Sequence, residues 1–155
     1  MTRTNAPGEP VSVALELHHH RLDDMLDRIE IDIELGSWGE ARRGFSLLRR
    51  ELEEHLRLEE QMVLPELGAA ADDDGWQVTS MRDEHARIRE CLELLDIDLE
   101  DEYPLGKTTE ALSSLLAVHN AREERFLYPM FERMASSGAY AAASFELMPL
   151  LRSSV

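Results

Sequence analysis

Four stripes of apolar residues, each helical in period and each interrupted by a histidine, constrain this chain more than any other feature. Leu15, Leu22, Leu26, Ile29 and Ile33 flank His19, and the same pattern returns 66 residues later as Met81, Ile88, Leu92, Leu95 and Leu99 around His85. A second pair, offset by 64, reads Leu48, Leu52, His55, Glu59, Met62, Val63 and Leu112, Leu116, His119, Glu123, Phe126, Leu127. Spacings of three and four put each set on one helix face, and no alternating strand pattern of useful length competes. Short connections between long amphipathic helices predict an all-α, antiparallel up-down-up-down four-helix bundle with a short C-terminal helix.

Breaking residues set the boundaries. Pro7, Gly8 and Pro10 mark residues 1 to about 10 as a loose leader, and Gly36 closes a first helix running from about Val11 to Leu35. Ser37 is placed to cap the second helix, which reaches the neighbourhood of Pro65 and Gly68. Asp72, Asp73, Asp74 and Gly75 form a polar turn before a third helix over about Trp76 to Glu102. Tyr103-Pro104-Leu105-Gly106 breaks that helix, and Thr108 or Thr109 starts a fourth that ends near Ala135. A fifth helix from about Ala139 to Leu151 offers Tyr140, Phe145 and Leu147 for packing on the bundle or for homodimerisation. With 155 residues, 43% of them hydrophobic, the chain is sized for a single domain over 1–155, its bundle at about 11–135 and an appendage at about 136–155.

A formal charge of −16 opposes binding to nucleic-acid phosphates or an anionic membrane. Arg42, Arg43, Arg49 and Arg50 are embedded in acidic sequence and read as a solvated face or local ion-pair donors. The one cysteine, Cys91, permits no internal disulfide and reads as a small residue at a helix boundary. No apolar run approaches membrane-spanning length and no signal-like segment opens the chain, so a cytoplasmic location is expected.

Residues four apart on a helix share a face, so His55 with Glu59 and His119 with Glu123 can each address one ion. Glu60 and Glu124, rotated by roughly 100°, point elsewhere and read as supporting or solvent-facing groups. His18 and His20 cannot share the direction of His19 and read the same way. Four histidines and two carboxylates on core faces carry a large desolvation cost that a cation offsets. Imidazole favours Zn, Cu, Fe and Ni, whereas carboxylates favour harder ions and can bridge two of them. Bridging glutamates with terminal histidines best suit two non-haem Fe ions, with Zn or Mn as substitutes. The expected metal ligands are His19, His55, Glu59, His85, His119 and Glu123.

These residues resemble the hemerythrin-like, or HHE cation-binding, family over about Ser12 to Arg133. The resemblance rests on His19-x-x-Leu22, His55-x-x-x-Glu59-Glu60 with Leu64-Pro65, Glu84-His85-x-x-Ile88, and His119-Asn-x-x-Glu123-Glu124 with Leu127-Tyr128-Pro129. It implies a four-helix bundle holding two irons joined by two carboxylates and an oxo or hydroxo group. His19 and His55 would then serve one iron, His85 and His119 the other, with Glu59 and Glu123 bridging. Oxygen-carrying members have a further histidine one turn before the third-helix histidine. Met81 stands there in this chain, which leaves water, Glu84 or a displaced histidine to complete one iron's shell.

The leading expectation is a protein that binds or senses O2, NO or iron rather than an enzyme, with Leu22, Met62, Ile88, Phe126 and Leu127 as apolar walls around the centre. The alternative is a di-iron enzyme acting on peroxide or supporting repair of iron centres under nitrosative stress. A ferritin-like oxidase fits less well because only Glu16-x-x-His19 has its Glu-x-x-His spacing. A metal-free interaction module leaves the buried ligand set without a purpose.

Overall fold

A computed structural model describes residues 10–70, 76–104 and 106–152. The predicted leader and the Asp72–Gly75 turn lie mostly outside these residues. Five helical rods form, and there is no strand among the described residues. The first is α1 (Val11–Glu34). The second joins α2 (Trp38–Leu58) to α3 (Leu64–Ala70) through a π-helical turn at Glu59–Val63. α4 (Trp76–Glu100) is the third, and the fourth joins α5 (Lys107–Arg122) to α6 (Tyr128–Met134) through a π-helical turn at Glu123–Leu127. The last rod is α7 (Ser137–Arg152).

Both π-helical turns begin at an expected ligand, and a proline accounts for each. Pro65 and Pro129 have no N–H for the carbonyl four residues back, so regular α-helical bonding cannot run through them. The chain widens instead. The amide of Leu64 bonds the Glu59 carbonyl and that of Tyr128 bonds the Glu123 carbonyl, an i to i+5 pattern. The stripe expected for the second helix holds at its C-terminal end, where Val63 is buried and Met62 packs beside it, whereas the stripe expected for the fourth fails at Phe126. Phe126, expected as an apolar wall, is turned out and 56% exposed, while Leu127 and Tyr128 are buried.

Helix ends follow the breakers. At Gly36, φ is +69°, and the Ser37 amide reaches back 2.8 Å to the Asp32 carbonyl, closing α1 with a left-handed residue as its missing Cβ allows. Ser37 precedes α2 as expected, but its hydroxyl makes no capping hydrogen bond; its carbonyl instead accepts from the Ala41 amide. Thr109 donates its hydroxyl to the Gly106 carbonyl at the start of α5.

α1 packs on α2 and α5, and α4 packs on α2 and α5. The core divides into two apolar parts. One gathers Leu22, Leu26, Ile29, Phe45, Leu48, Leu52, Leu92, Leu95, Leu112 and Leu116. The other gathers Leu15, Leu64, Met81, Leu127, Tyr128 and Phe131 with Ala143, Leu147 and Leu150 of α7. α7 thus covers the bundle from within the same chain. Its Tyr140 ring stacks on Phe131 at 5.9 Å, and its hydroxyl accepts from the Val11 amide at the start of α1. Phe145, expected to pack, faces outward. Cys91 lies inside α4 rather than at a helix boundary, partly buried against the first cluster. Arg49 pairs with Glu93 and Asp96, and Arg43 with Glu40, as expected of local ion-pair donors. No described helix is long and apolar enough to cross a membrane.

Truncating Leu48, which is fully buried, should cost about 2–5 kcal/mol as Leu48→Ala, whereas exposed Leu94→Ala should change stability by less than about 0.5 kcal/mol. Urea unfolding followed by circular dichroism measures both.

Candidate metal centre

All six expected ligands are buried and converge between the two apolar clusters. α1 contributes His19, α2 His55, α4 His85 and α5 His119, and the two π-helical turns contribute Glu59 and Glu123. His19, His55, Glu59 and Glu123 offer donor atoms that all lie within 4.8 Å of one another, and so do His85, His119, Glu59 and Glu123. Each group of four can hold a cation, and the two glutamates belong to both. The His19 and His55 Nε2 atoms are 3.1 Å apart, and Glu123 Oε1 lies 3.3 Å from His19 Nε2 and 2.9 Å from His119 Nε2. His55 Nε2 meets Glu59 Oε1, while His85 Nε2 is 3.5 Å from Glu59 Oε2.

Each of the four rings turns Nε2 to the centre and is held from behind at Nδ1. Glu124 Oε1 accepts from His19 Nδ1 at 2.8 Å, Glu60 Oε1 from His85 Nδ1 at 2.8 Å, and Glu84 Oε2 from His119 Nδ1 at 2.7 Å. His55 has a different partner: its Nδ1 lies 2.7 Å from Nδ1 of buried His18. If His55 donates, His18 is left with Nε2–H directed toward Glu51 Oε2 at 3.5 Å, and Arg21 grips Glu51 with two hydrogen bonds of 2.7 Å. At His19, His85 and His119 the carboxylates favour the tautomer whose Nε2 lone pair faces inward, the arrangement a metal-binding imidazole requires. Arg89 secures Glu60, and Arg122 secures Glu84.

Glu84 therefore orients His119 and does not take a place among the inward-facing groups. His18 belongs with the supporting groups, whereas His20 is exposed. Sequence reasoning missed Tyr128, whose hydroxyl lies 3.2 Å from Glu59 Oε1 and 2.9 Å from His19 Nε2. The signal was present in the repeat, because the 64-residue offset pairs Tyr128 with Leu64, a hydroxyl against a purely apolar side chain.

Electrostatics fit a cation. Glu59 Oε2, Glu123 Oε1, His85 Nε2 and His119 Nε2 are buried without a hydrogen bond of acceptable geometry, although ion-pair distances separate them. Buried polar atoms in native proteins are nearly always satisfied, so four such atoms facing one point fit a positively charged occupant. Without one, protons take part of its place. Burial works against the charged form of His119, but Glu123 and Glu84 outweigh it and push the pKa up to about 10. His19 and His85 are raised for the same reason, burial being outweighed by Glu123 and Glu59 for His19 and by Glu59 and Glu60 for His85. Glu59 is held well below the carboxylate range, its burial outweighed by His55 and its other neighbours. Burial first, then His55, pushes His18 down to about 3, which keeps it neutral as an acceptor for His55.

Comparison with known families agrees with this geometry. The model of the hemerythrin HHE cation-binding domain matches residues 11–131. The chain belongs to the hemerythrin HHE cation-binding family. Neither the curated proteins nor the solved structures gave a match. The matched span of the hemerythrin domain contains all six inward-facing ligand candidates and their four Nδ1 partners, and it ends at Phe131, before α7.

Metal-free protein should lose stability as pH rises from about 6.5 toward 10. The raised histidines His19, His85 and His119 stabilise the fold fully below their unfolded value of 6.5, and that contribution disappears as each is deprotonated in the fold. His18 works in the opposite sense, its contribution being present above 6.5 and lost as pH falls toward 3. Urea midpoints across this range, with and without metal, test the assignment, and a midpoint of the metal-free protein that rises from pH 7 to 9 contradicts it. Removing the backing of one ring, as Glu84→Gln, should weaken metal affinity about 10- to 100-fold with the helical content unchanged, as measured by competition with a chelator.

Proposed function

We propose that the protein is a single-domain, antiparallel four-helix hemerythrin-like protein with a carboxylate-bridged, dinuclear non-haem iron centre that binds or senses a small ligand such as O2 or NO, or iron itself. The observation that carries this reading is the sharing of Glu59 and Glu123 by two groups of four donors. Two carboxylates common to both groups could hold two cations and would spread their charge, and mixed imidazole and carboxylate donors suit iron. A pair of irons supplies the electrons for reversible reaction with a small ligand, which no side chain of the centre can supply.

The chain does the rest. His19 and His55 terminate one position, and His85 and His119 terminate the other. Glu124, Glu60, Glu84 and His18 hold the rings in place through Nδ1. Buried Leu22, Ile88 and Leu127 belong to the apolar clusters on either side of this polar layer and restrict the entry of water. The formal charge of −16 opposes a nucleic-acid or anionic-membrane partner, and a cytoplasmic location is part of the proposal.

A second reading, turnover of peroxide, is favoured by Met81. This fully buried side chain lies one turn before His85 and supplies a thioether where a further imidazole would close the second position. Turnover by the iron-loaded protein no faster than by free iron or a His119→Ala control removes that reading.

Elemental analysis of protein purified without added metal, with visible spectra before and after anaerobic reduction, tests the main proposal. The expected result is about two irons per chain and absorption that bleaches on reduction, with His55→Ala and Glu59→Ala losing both metal and thermal stability because buried donors are left without a counter-ion. Stoichiometric zinc, or no metal after anaerobic iron loading, overturns it.

A further inference from the structure

The repeat that builds the centre breaks inside it. The offset that matches Glu59 to Glu123 and Glu60 to Glu124 also matches Leu64 to Tyr128. Tyr128 is 1% exposed, carried inward by the π-helical turn that starts at Glu123. Its hydroxyl oxygen lies 2.9 Å from His19 Nε2, 3.2 Å from Glu59 Oε1 and 3.3 Å from His55 Nε2. Those atoms belong to three of the four residues in the first group, and the two nitrogens are 3.1 Å from each other.

Donors bound to one small divalent ion at about 2.1 Å, in adjacent corners of an octahedron, stand about 3 Å apart. An oxygen that keeps this spacing to three donors at once occupies another corner of the same polyhedron. Hydrogen bonding to the imidazoles is open to the hydroxyl only while the centre is free of metal. A phenol has one proton to donate, and once both Nε2 lone pairs are committed to an ion only the carboxylates of Glu59, 3.2 Å away, and Glu123 are left to accept it.

We propose that Tyr128 is a fifth protein ligand of the ion held by His19 and His55, bound through its phenolate oxygen. This rests on the dinuclear reading of the centre given above. As the metal–oxygen bond forms, the O–H bond breaks and its proton leaves to solvent, so no oxidant or reductant takes part. The two metal positions are then unequal. At the His85–His119 position the repeat puts Leu64 where Tyr128 would stand, and Met81 lies one turn from His85. Both are buried and apolar. The corner left free for a small exogenous ligand therefore falls on the second ion.

The test is resonance Raman spectroscopy of protein loaded anaerobically with ferrous iron and then oxidised in air, comparing wild type, Tyr128→Phe and Tyr140→Phe. Expected are tyrosinate ring modes enhanced in a visible phenolate-to-ferric charge-transfer band. They should be lost completely in Tyr128→Phe, kept in Tyr140→Phe, and accompanied by two irons per chain in all three proteins. Wild type that binds two irons without these modes overturns the Tyr128 assignment and leaves the dinuclear reading standing, as does Tyr128→Phe that retains them. Failure of wild type to bind iron overturns both. Should Tyr128→Phe not fold, wild type grown on ring-deuterated tyrosine replaces it, and an isotope-insensitive band refutes the ligand.

Discussion

The structure is organised around a layer of four imidazoles and two carboxylates set between two apolar clusters. Water cannot solvate this layer, so each charge in it has to be met by another charge or by a directed hydrogen bond. The protein meets the requirement from two sides. Behind the rings, Glu60, Glu84 and Glu124 take the Nδ1 protons of three histidines, and arginines bind Glu60 and Glu84 in turn. In front, Glu59 and Glu123 are balanced by protons that Glu123, Glu84, Glu59 and Glu60 hold on His119, His19 and His85. A cation entering the layer would exchange with those protons, so the same carboxylates that stabilise the metal-free fold suit a metal.

Helical periodicity made most of this legible. A stripe with a histidine at a constant phase on each of four helices fixes both the bundle class and the direction of the ligand candidates, because side-chain direction in a helix depends on little besides residue number. Glu60 and Glu124 were also readable as pointing away from the centre. Their targets were not, since His85 and His19 lie on other helices and the pairing depends on how the rods are rotated and offset. The same limit applied to Glu84 and His18. A single helix shows that they are misaligned with the centre, but only packing shows that they lie behind His119 and His55.

The π-helical turns mark the other boundary of sequence reading. Phe126 was assigned to the core by extending a 3.6-residue period past Glu123, and the extra residue in the turn moves that face on to Leu127 and Tyr128. Pro65 and Pro129 carried the warning, because a helix cannot keep its bonding pattern through a proline. Their shared position, six residues after each glutamate, suggested a local irregularity, but not whether the helix would stop, kink or widen. Widening allows each rod to carry a glutamate into the centre and continue beyond it, with the next inward residue placed directly against the ligand layer.

Approximate symmetry explains what the two halves share, and its exceptions explain how they differ. Glu60 and Glu124 are equivalent in the repeat and perform the same task on opposite rings. Glu84 and His18 are also equivalent, yet one presents a carboxylate to His119 and the other a neutral imidazole to His55. A hydrogen bond to a charged acceptor is roughly twice as strong as one to a neutral acceptor, and it raises the basicity of the ring that donates it. His119 is therefore the stronger donor of the matched pair. On the His55 side, the weaker backing coincides with the tyrosine, and on the His119 side the stronger backing coincides with Leu64. Under the dinuclear reading, an ion with a more basic imidazole and fewer surrounding oxygens would differ from its neighbour in charge and in access. Two groups of donors built from one repeated motif thus acquire different surroundings through substitutions at residues that sequence periodicity alone would treat as interchangeable.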